Sequence, residues 1–231
     1  MIPSSQREEE AALYAKRYYP AVRRAGGKPE TLYLFIKRVF DIAASAAALL
    51  ALSPLFLILA LVIKLEDPRG SVFFGQTRVG KAGRLFRIYK FRSMIADAEA
   101  LLPNLLNQNE MSGPMFKMRN DPRVTRVGRF IRRTSIDELP QLVNVLKGDM
   151  SLVGPRPSLP REVEKYSEYD RLRLSVTPGC TGLWQVSGRS GLNFKQMVEL
   201  DLLYIEQRTL GLDLKIMFMT AWQLVRSKNA F

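Results

Sequence analysis

Two adjacent carboxylates, Asp137 and Glu138, follow a cluster of arginines and precede a proline. Ser135 stands three residues before Glu138, which is the spacing of a capping box, where a hydroxyl and a carboxylate satisfy free backbone N–H groups at a helix start. Pro140 must lie in the first turn of this helix, because deeper inside it would clash with the preceding turn. We therefore predict a helix that begins between Ser135 and Asp137. Its N-terminal field would favour the ionised form of Asp137 and attract phosphate.

Acids at a helix start are often ordinary first-turn residues with no chemical role, and this interpretation stays open at this point. The neighbouring sequence favours a functional site instead. Arg132 and Arg133 stand just before the pair, and the segment Gly154-Pro155-Arg156-Pro157 follows it. Arg156 lies between two prolines, so its backbone is restricted.

The composition restricts the chemistry that such a site can use. The 231 residues include 35 Lys and Arg against 22 Asp and Glu, a formal net charge of +13, which predicts an anionic partner. The chain has no histidine and a single cysteine, Cys180, which excludes histidine bases, histidine-ligated metals and an intrachain disulfide. Acid–base and metal chemistry therefore falls to Asp, Glu, Lys, Tyr and backbone oxygens, a set that suits Mg²⁺ better than zinc.

Residues 42–63 form an uncharged apolar run that is long enough to cross a bilayer. A single transmembrane helix is one interpretation, but two features favour a re-entrant helix hairpin. Ser53-Pro54 interrupts the run near its middle, and both flanks are basic, with Lys37 and Arg38 on the N-terminal side. Each half of about 11 residues would rise about 16 Å, roughly one leaflet. Asp41 at the entrance is expected to meet Lys37, Arg38 or a helix start.

Beyond the apolar run the pattern changes to one of strands and amphipathic helices. Residues 72–76 and 85–91 predict a β-hairpin with a glycine-bearing turn. Lys90, in the second strand, has aromatic neighbours. This favours a cation held in a defined position over an ordinary solvated lysine. Segments 194–208 and 212–225 predict amphipathic helices that either pack into the core or lie in a headgroup plane. A further helix is expected to present three arginines on one face: Arg126, Arg129 and Arg133.

Three segments carry a family resemblance: SIDELPQL at 135–142, NVLKGDMS at 144–151 and VGPRP at 153–157. They resemble the bacterial sugar transferases, the monotopic polyprenyl-phosphate phosphoglycosyl transferases that begin exopolysaccharide, capsule and O-antigen assembly. The likeness extends from about residue 37 to 219. It implies a membrane anchor formed by a re-entrant helix broken at a Ser-Pro. It also implies transfer of a sugar-1-phosphate from a UDP-sugar to polyprenyl (undecaprenyl) phosphate, with release of UMP.

The resemblance also implies roles for particular residues. Lys90, Arg132 and Arg156 match phosphate-clamping positions. The glycine-rich segment 177–189, which predicts a tight loop, corresponds to the nucleotide side. Two weaker candidates for nucleotide binding lie in that segment: Gln185 and Arg189. The membrane hairpin and its contact with lipid phosphate would involve Lys37, Arg38, Asp41, Ser53 and Pro54. Through relatives that share the GPMFK segment at 113–117, the resemblance also implies a hexose such as glucose or galactose.

For the reaction we hypothesise a covalent route. Asp137 would attack the sugar-bearing phosphorus, and polyprenyl phosphate would then release the aspartate. Asp137 would also bind Mg²⁺, and Glu138 would position groups or handle protons. One alternative is a single-pass membrane phosphotransferase without a covalent intermediate. Another is a membrane-tethered basic nucleic-acid-binding or scaffold protein, although no nucleic-acid motif occurs.

The predicted fold class is α+β and mostly helical: a monotopic membrane protein with a re-entrant hairpin, a small β-hairpin and interfacial amphipathic helices. Three parts are expected: a polar extension (1–30), the re-entrant helix (31–66) and a catalytic domain (67–231) on the cytoplasmic face of the bacterial inner membrane. The chain looks like the catalytic unit alone. The expected partners are a UDP-sugar, polyprenyl phosphate and anionic membrane lipid, with no nucleic acid. A homodimer is left open.

Overall fold

The computed structural model of the protein describes residues 31–110, 116, 118, 120–188 and 192–226. The predicted polar extension, Arg189 and most of segment 113–117 lie outside these residues. The described residues are mostly helical and contain two small sheets, as the predicted fold class requires. The elements are α1 Thr31–Glu66, β1 Phe73–Val79, β2 Leu85–Phe91, α2 Leu102–Leu105, α3 Arg126–Arg133, α4 Gln141–Lys147, β3 Ser151–Val153, α5 Pro160–Val163, α6 Glu168–Arg171, β4 Gly179–Thr181, α7 Leu183–Ser187, α8 Phe194–Gln207 and α9 Leu210–Arg226.

Helix α1 runs without interruption through Ser53-Pro54, so the predicted break into two helices is not confirmed. Pro54 has no N–H to donate to the carbonyl of Leu50, one turn earlier. The hydroxyl of Ser53 donates to that carbonyl instead, at 2.8 Å. Ser53 therefore satisfies the acceptor that Pro54 leaves free, and the helix continues across the proline.

Most of α1 is apolar and uncovered. An 18-residue window of α1 has a mean hydropathy of 2.7, and only 11% of it is buried, so the helix could cross a membrane by length and composition. Leu50 and Leu57 keep 77% and 74% of their surface exposed. An exposed apolar surface of this extent marks an interaction with a membrane or a partner.

The N-terminal end of α1 is fastened to the rest of the protein by polar contacts. Lys37 forms an ion pair with Asp213 of α9 at 2.8 Å. Arg38 donates to two carbonyls at the end of α4, at 2.6 and 2.9 Å, where a cation complements the helix dipole. The carboxylate of Asp41 accepts the backbone N–H of Leu152 in β3 at 3.1 Å. The expectation that Asp41 meets Lys37, Arg38 or a helix start was therefore wrong, because Asp41 accepts from β3 while Lys37 pairs with Asp213 and Arg38 with α4.

The C-terminal end of α1 packs on the same body of the protein. Leu59 and Ile63 are buried against Phe91 of β2 and Ile131 of α3. Glu66 accepts the backbone N–H of Val127 at 3.1 Å, in the first turn of α3. Both ends of the apolar helix are therefore attached to one domain.

The predicted β-hairpin is confirmed. Strands β1 and β2 pair antiparallel, with Val79 opposite Leu85 next to the turn. The predicted span 85–91 matches β2, whereas β1 extends to Val79, beyond the predicted residue 76. The second sheet, a short parallel pair of β3 and β4, was not predicted.

We predicted a tight loop for the glycine-rich segment, but the structure has strand β4 followed by helix α7 there. Its glycines allow two backbones to approach each other. A Cβ on Gly179 would lie 2.0 Å from the backbone nitrogen of Gly154, and one on Gly182 would lie 2.4 Å from the Gly154 carbonyl. The prediction of a tight loop was therefore wrong, because two closely packed backbones require glycine as much as a turn does.

The two predicted amphipathic helices are present as α8 and α9. Helix α8 packs into the core through buried residues such as Leu200 and Tyr204. Helix α9 buries Ile216 completely, but Phe218 and Trp222 stay 71% and 54% exposed. An exposed aromatic stripe suits a membrane interface, so only α9 has the face that the interfacial interpretation requires.

Candidate active site

Asp137 and Glu138 lie in a single 3₁₀ turn, Ile136–Glu138, ahead of helix α4. The predicted capping box is wrong. Ser135 is left-handed (φ 56°) and its side chain caps nothing, whereas a capping residue needs an extended backbone. The carboxylate of Glu138 turns to Lys90 instead, with Nζ and Oε1 2.5 Å apart. Pro140 directly precedes the first residue of α4, close to the predicted first turn.

Asp137 lines a cleft of about 1450 Å³ whose walls are strongly cationic. Three predicted phosphate-clamping residues, Lys90, Arg132 and Arg156, line the same cleft, although they come from β2, α3 and the segment after β3. Other arginines in its lining are Arg78, Arg92, Arg123, Arg126, Arg129, Arg133 and Arg161. The acids in its lining are Glu99, Asp121, Asp137 and Glu162. This excess of positive charge suits a ligand with several negative charges.

Two of these cations have at most one polar partner among the described residues. In the described part of the chain, the side chain of Arg132 makes no hydrogen bond or ion pair, and Arg156 contacts only Glu162, at 3.4 Å. Arg92 and Arg123 are different, because they pair with Asp67 and Asp121 at 2.9 and 2.6 Å. Arg132 and Arg156 are therefore available to an anionic ligand, whereas Arg92 and Arg123 hold the cleft wall together.

Burial controls the ionisation of Asp137, of which only 6% is exposed. The pKa of Asp137 is raised to about 6, because desolvation by burial and the negative charge of Glu138 outweigh the positive charges of Lys90 and Arg132. The predicted stabilisation by a helix N-terminus therefore does not dominate, because Asp137 lies in a buried 3₁₀ turn rather than at the start of α4. At neutral pH the carboxylate is still mostly ionised.

The pKa of Glu138 is shifted in the opposite direction. Burial disfavours its charge, but the ammonium of Lys90, with Arg156 and Arg78 nearby, holds the pKa of Glu138 below its usual range. Two neighbouring carboxyls whose pKa values are separated in this way can take different roles. Glu138 stays an ionised partner of Lys90, while Asp137 is the carboxylate that is not committed to an ion pair.

Arg78 is a residue of the cleft that the sequence did not reveal. Its guanidinium is buried and donates to the carbonyl of Pro157 at 3.1 Å and to Gln76 at 2.7 Å. Burial, followed by the charge of Arg156, lowers the pKa of Arg78 to about 10. Arg78 therefore holds the backbone beside Arg156. An arginine at the end of a strand resembles a solvated residue in the sequence, so only the tertiary contact identifies it.

A buried polar chain supports the other side of the same segment. Arg173 and Asp201 form a buried ion pair, and Arg173 also donates to the hydroxyl of Tyr166 at 3.1 Å. Tyr166 donates to the hydroxyl of Ser158 at 2.8 Å. Through these contacts helix α8 fixes the residues that follow Arg156.

The remaining predicted site residues lie elsewhere. Gln185 lies in α7, where it donates to the Cys180 carbonyl at 3.3 Å, and it is not part of the cleft lining; Arg189 is outside the described residues. The residues near the start of α1 line a separate, smaller cavity: Lys37, Arg38 and Asp41. Ser53 and Pro54 lie within α1 and are exposed.

The donor set around Asp137 fits Mg²⁺ only together with a phosphate ligand. Among the described residues there is no group of three or more His, Cys, Asp or Glu that could hold a metal ion by itself. Mg²⁺ commonly takes one or two carboxylates plus substrate phosphates and water. A single buried carboxylate facing a cationic cleft is compatible with that mode.

An exposed apolar helix attached to a cationic cleft around a buried aspartate fits a membrane-associated protein with an anionic ligand. The chain matches the family described as Bacterial sugar transferase over residues 32–227 and belongs to this family.

Named relatives agree with this assignment. The chain is 49% identical over 189 residues to the galactosyl transferase CpsE of Streptococcus agalactiae. The aligned region covers 81% of this chain and 42% of the relative. It is 46% identical over 201 residues to the undecaprenyl-phosphate galactose phosphotransferase of Salmonella typhimurium (85% and 42%). It is 37% identical over 234 residues to the exopolysaccharide production protein ExoY of Sinorhizobium fredii, with both chains covered completely. The chain thus spans less than half the length of the first two.

Proposed function

We propose that this protein transfers a sugar-1-phosphate from a UDP-sugar to undecaprenyl phosphate and releases UMP. The observation that carries the proposal is the cationic cleft that gathers Lys90, Arg132 and Arg156 around the buried carboxylate of Asp137. Relatives named for undecaprenyl-phosphate transfer of galactose, glucose and N-acetylgalactosamine phosphates support it. A hexose such as glucose or galactose is the proposed sugar, and the product would start exopolysaccharide, capsule or O-antigen-type assembly.

In the first step, a carboxylate oxygen of Asp137 attacks the phosphorus that carries the sugar. A new oxygen–phosphorus bond forms, the bond between that phosphorus and the bridging oxygen breaks, and UMP leaves with the electron pair. Arg132 and Arg156 neutralise the phosphate oxygens that the anionic nucleophile approaches, which is most of what phosphoryl transfer requires of a protein. Asp137 suits this role because its carboxylate forms no ion pair among the described residues.

In the second step, an oxygen of undecaprenyl phosphate attacks the same phosphorus. The bond to Asp137 breaks and the carboxylate is restored, so the product is undecaprenyl-diphospho-sugar. Glu138 stays ionised and holds Lys90 at the cleft through their 2.5 Å ion pair. Mg²⁺, held by Asp137 and the substrate phosphates, would supply additional charge neutralisation.

We also propose that α1 enters and leaves the membrane on one side, the cytoplasmic face of the inner membrane. The support is that both ends of α1 contact one domain: Lys37 pairs with Asp213, and Ile63 packs on Ile131. A helix that crossed the bilayer would place one of these ends on the far side. The uncovered apolar middle of α1 is the part that would lie in lipid.

This topology predicts one-sided labelling. Cysteines introduced at exposed Thr31 and Arg69 in a Cys180→Ser background should both react with a membrane-impermeant maleimide only from the cytoplasmic side. Lys165→Cys, exposed on the domain, is the matched control for that side. Reaction of either introduced cysteine from the outside would contradict the proposed topology.

The raised pKa of Asp137 predicts a pH dependence for the first step. Only the ionised carboxylate attacks phosphorus, and its pKa is about 6. UMP release under single-turnover conditions should therefore fall as the pH drops through 6, reaching about one-tenth of its plateau near pH 5. A profile that stays flat down to pH 4.5 would show that Asp137 does not act as the ionised nucleophile.

The direct test of the function is UMP release by the protein embedded in membranes with undecaprenyl phosphate and Mg²⁺. A panel of UDP-glucose, UDP-galactose, UDP-N-acetylglucosamine and UDP-N-acetylgalactosamine identifies the sugar. We expect turnover with at least one UDP-hexose and dependence on the lipid acceptor. The absence of UMP from every donor would refute the proposal.

A further inference from the structure

Glu162 is a buried acid in the wall of the catalytic cleft, and the proposed transfer reaction gives it no role. Only 1% of the residue is exposed. A buried carboxylate is costly unless it is paired and hydrogen-bonded, and its charge repels an anionic ligand in the same cleft. The position of Glu162 is therefore unfavourable for such a ligand unless the carboxylate assists binding through a neighbouring cation.

One carboxylate oxygen of Glu162 has two hydrogen-bond donors. Oε2 accepts the backbone N–H of Leu159 at 2.8 Å, which caps the first turn of α5. The same oxygen accepts from Nη1 of Arg156 at 3.4 Å. The contact with Leu159 fixes the carboxylate within α5. The contact with Arg156 then gives the guanidinium a fixed point at the wall of the cleft.

The backbone and the side chain of Arg156 are held by different contacts. Pro155 and Pro157 restrict the backbone on both sides, and Arg78 donates to the carbonyl of Pro157 at 3.1 Å. None of these contacts restricts the long side chain of Arg156, and such side chains have many rotamers. Among the described residues, Glu162 is its only hydrogen-bond or ion-pair partner. The direction of the guanidinium therefore depends on Glu162.

The charge of Glu162 also acts on the neighbouring arginine. Burial, followed by the charge of Arg156, lowers the pKa of Arg78, whereas the charge of Glu162 raises it. Glu162 therefore offsets part of the repulsion between these two arginines. A guanidinium has several N–H donors in a rigid fork, and Glu162 uses one of those of Arg156. The side chain of Arg156 is 26% exposed, so its other donors remain available to a phosphate.

We propose that Glu162 is the positioning residue of the Arg156 phosphate clamp. It holds the guanidinium by one N–H at the cleft wall and leaves the remaining donors for the phosphates of a nucleoside diphosphate. Glu162 does not contact the ligand and acts only through Arg156. The inference rests on the proposed function, since that function makes Arg156 a phosphate clamp. Loss of the Glu162 charge should therefore change catalysis only while Arg156 is present.

The test is a double-mutant cycle at positions 156 and 162, carried out on the full chain embedded in membranes. Glu162→Gln keeps an oxygen that can accept the N–H of Leu159, so it preserves the cap of α5 and removes only the charge. We expect kcat for UMP release to fall by about 10-fold and KM for the UDP-sugar to rise by only about 3-fold, because a misdirected clamp mainly fails to stabilise charge that develops during the reaction. In the Arg156→Ala background, Glu162→Gln should have no further effect.

Two further variants separate this role from folding. Glu164→Gln removes an exposed acid from the end of the same helix and should leave turnover unchanged. Glu162→Asp keeps the charge on a shorter side chain, so it should retain more of kcat than Glu162→Gln, and it supplies a second cycle with Arg156→Ala. An unchanged kcat in Glu162→Gln would show that Glu162 only caps α5 and would overturn the inference. Equal losses in the wild-type and Arg156→Ala backgrounds would overturn it too, because Glu162 would then not act through Arg156.

The affinity for UDP, measured by calorimetry on the same preparations, separates this inference from the proposed function. Glu162→Gln should weaken UDP binding by about 3-fold, and this loss should vanish in the Arg156→Ala background. Wild type that binds UDP but forms no UMP from any UDP-sugar would refute the proposed function, and the UDP affinities would then decide the role of Glu162. Equal UDP affinities of wild type and Glu162→Gln, or no binding of UDP by wild type, would overturn the inference.

Discussion

Asp137→Asn is expected to reduce UMP release to near background while the protein remains folded in membranes. Asparagine keeps the size and shape of the side chain but removes the anionic oxygen that would attack phosphorus. Folding should not suffer, because burial raises the pKa of Asp137 to about 6, so above that pH the ionised carboxylate is less favourable in the folded state than in the unfolded chain. The measurement is UMP formation together with thermal unfolding of the same preparation.

The covalent intermediate can be detected directly. Wild-type protein given a UDP-sugar labelled in its β-phosphate, without lipid acceptor, should retain label on a peptide that contains Asp137. Hydroxylamine should cleave this acyl-phosphate, and added undecaprenyl phosphate should discharge it. Asp137→Asn should retain no label, and Glu138→Gln is the matched control, since it leaves the proposed nucleophile in place.

The opposite result is equally clear. If UMP forms only when both substrates are present and the protein never carries label, the lipid phosphate attacks the donor directly. Asp137 would then act as a metal ligand or base, and the two-step route would be wrong even though the overall transfer is right.

Arg132→Ala and Arg156→Ala should each lower turnover strongly. A lost charge-assisted contact to developing phosphate charge costs on the order of 2–4 kcal/mol, which corresponds to about 30- to 1000-fold in rate. Neither change should unfold the protein, because Arg132 has no hydrogen bond or ion pair in the described part of the chain and Arg156 has one contact, at 3.4 Å. The measurements are turnover with saturating substrates and thermal unfolding.

The control variants distinguish a specific clamp from a general positive field. Arg126 and Arg129 also line the cleft, but the charge of Arg132 acts on the pKa of Asp137 and that of Arg156 acts on the pKa of Glu138, so we expect the alanine variants at 126 and 129 to lose far less activity. Arg84→Ala, outside the cleft, should be neutral. Equal losses at 126, 129, 132 and 156 would mean that the arginines act as a diffuse patch.

Elements whose pattern is local could be predicted from the amino-acid sequence. The apolar composition of 42–63 gave α1, and period-two alternation gave β2 with the correct ends at 85 and 91. Helical spacing predicted α3 and the two long C-terminal helices. The sequence also identified the motif residues that meet at one cleft, among them Lys90, Asp137 and Arg156, because a family resemblance specifies residues without requiring their geometry.

Other features depend on contacts between residues that are distant in the sequence. Whether Ser53-Pro54 breaks α1 depends on the Ser53 hydroxyl replacing a missing N–H donor, which hydropathy does not report. Whether Glu138 caps a helix or pairs with Lys90 depends on strand β2, which lies far away in the sequence. The ionisation of Asp137 follows from burial rather than from its helix position, because desolvation is a sum over residues brought together by folding. For the same reason only the folded chain shows Arg78 behind Arg156 and the smaller cavity at the start of α1.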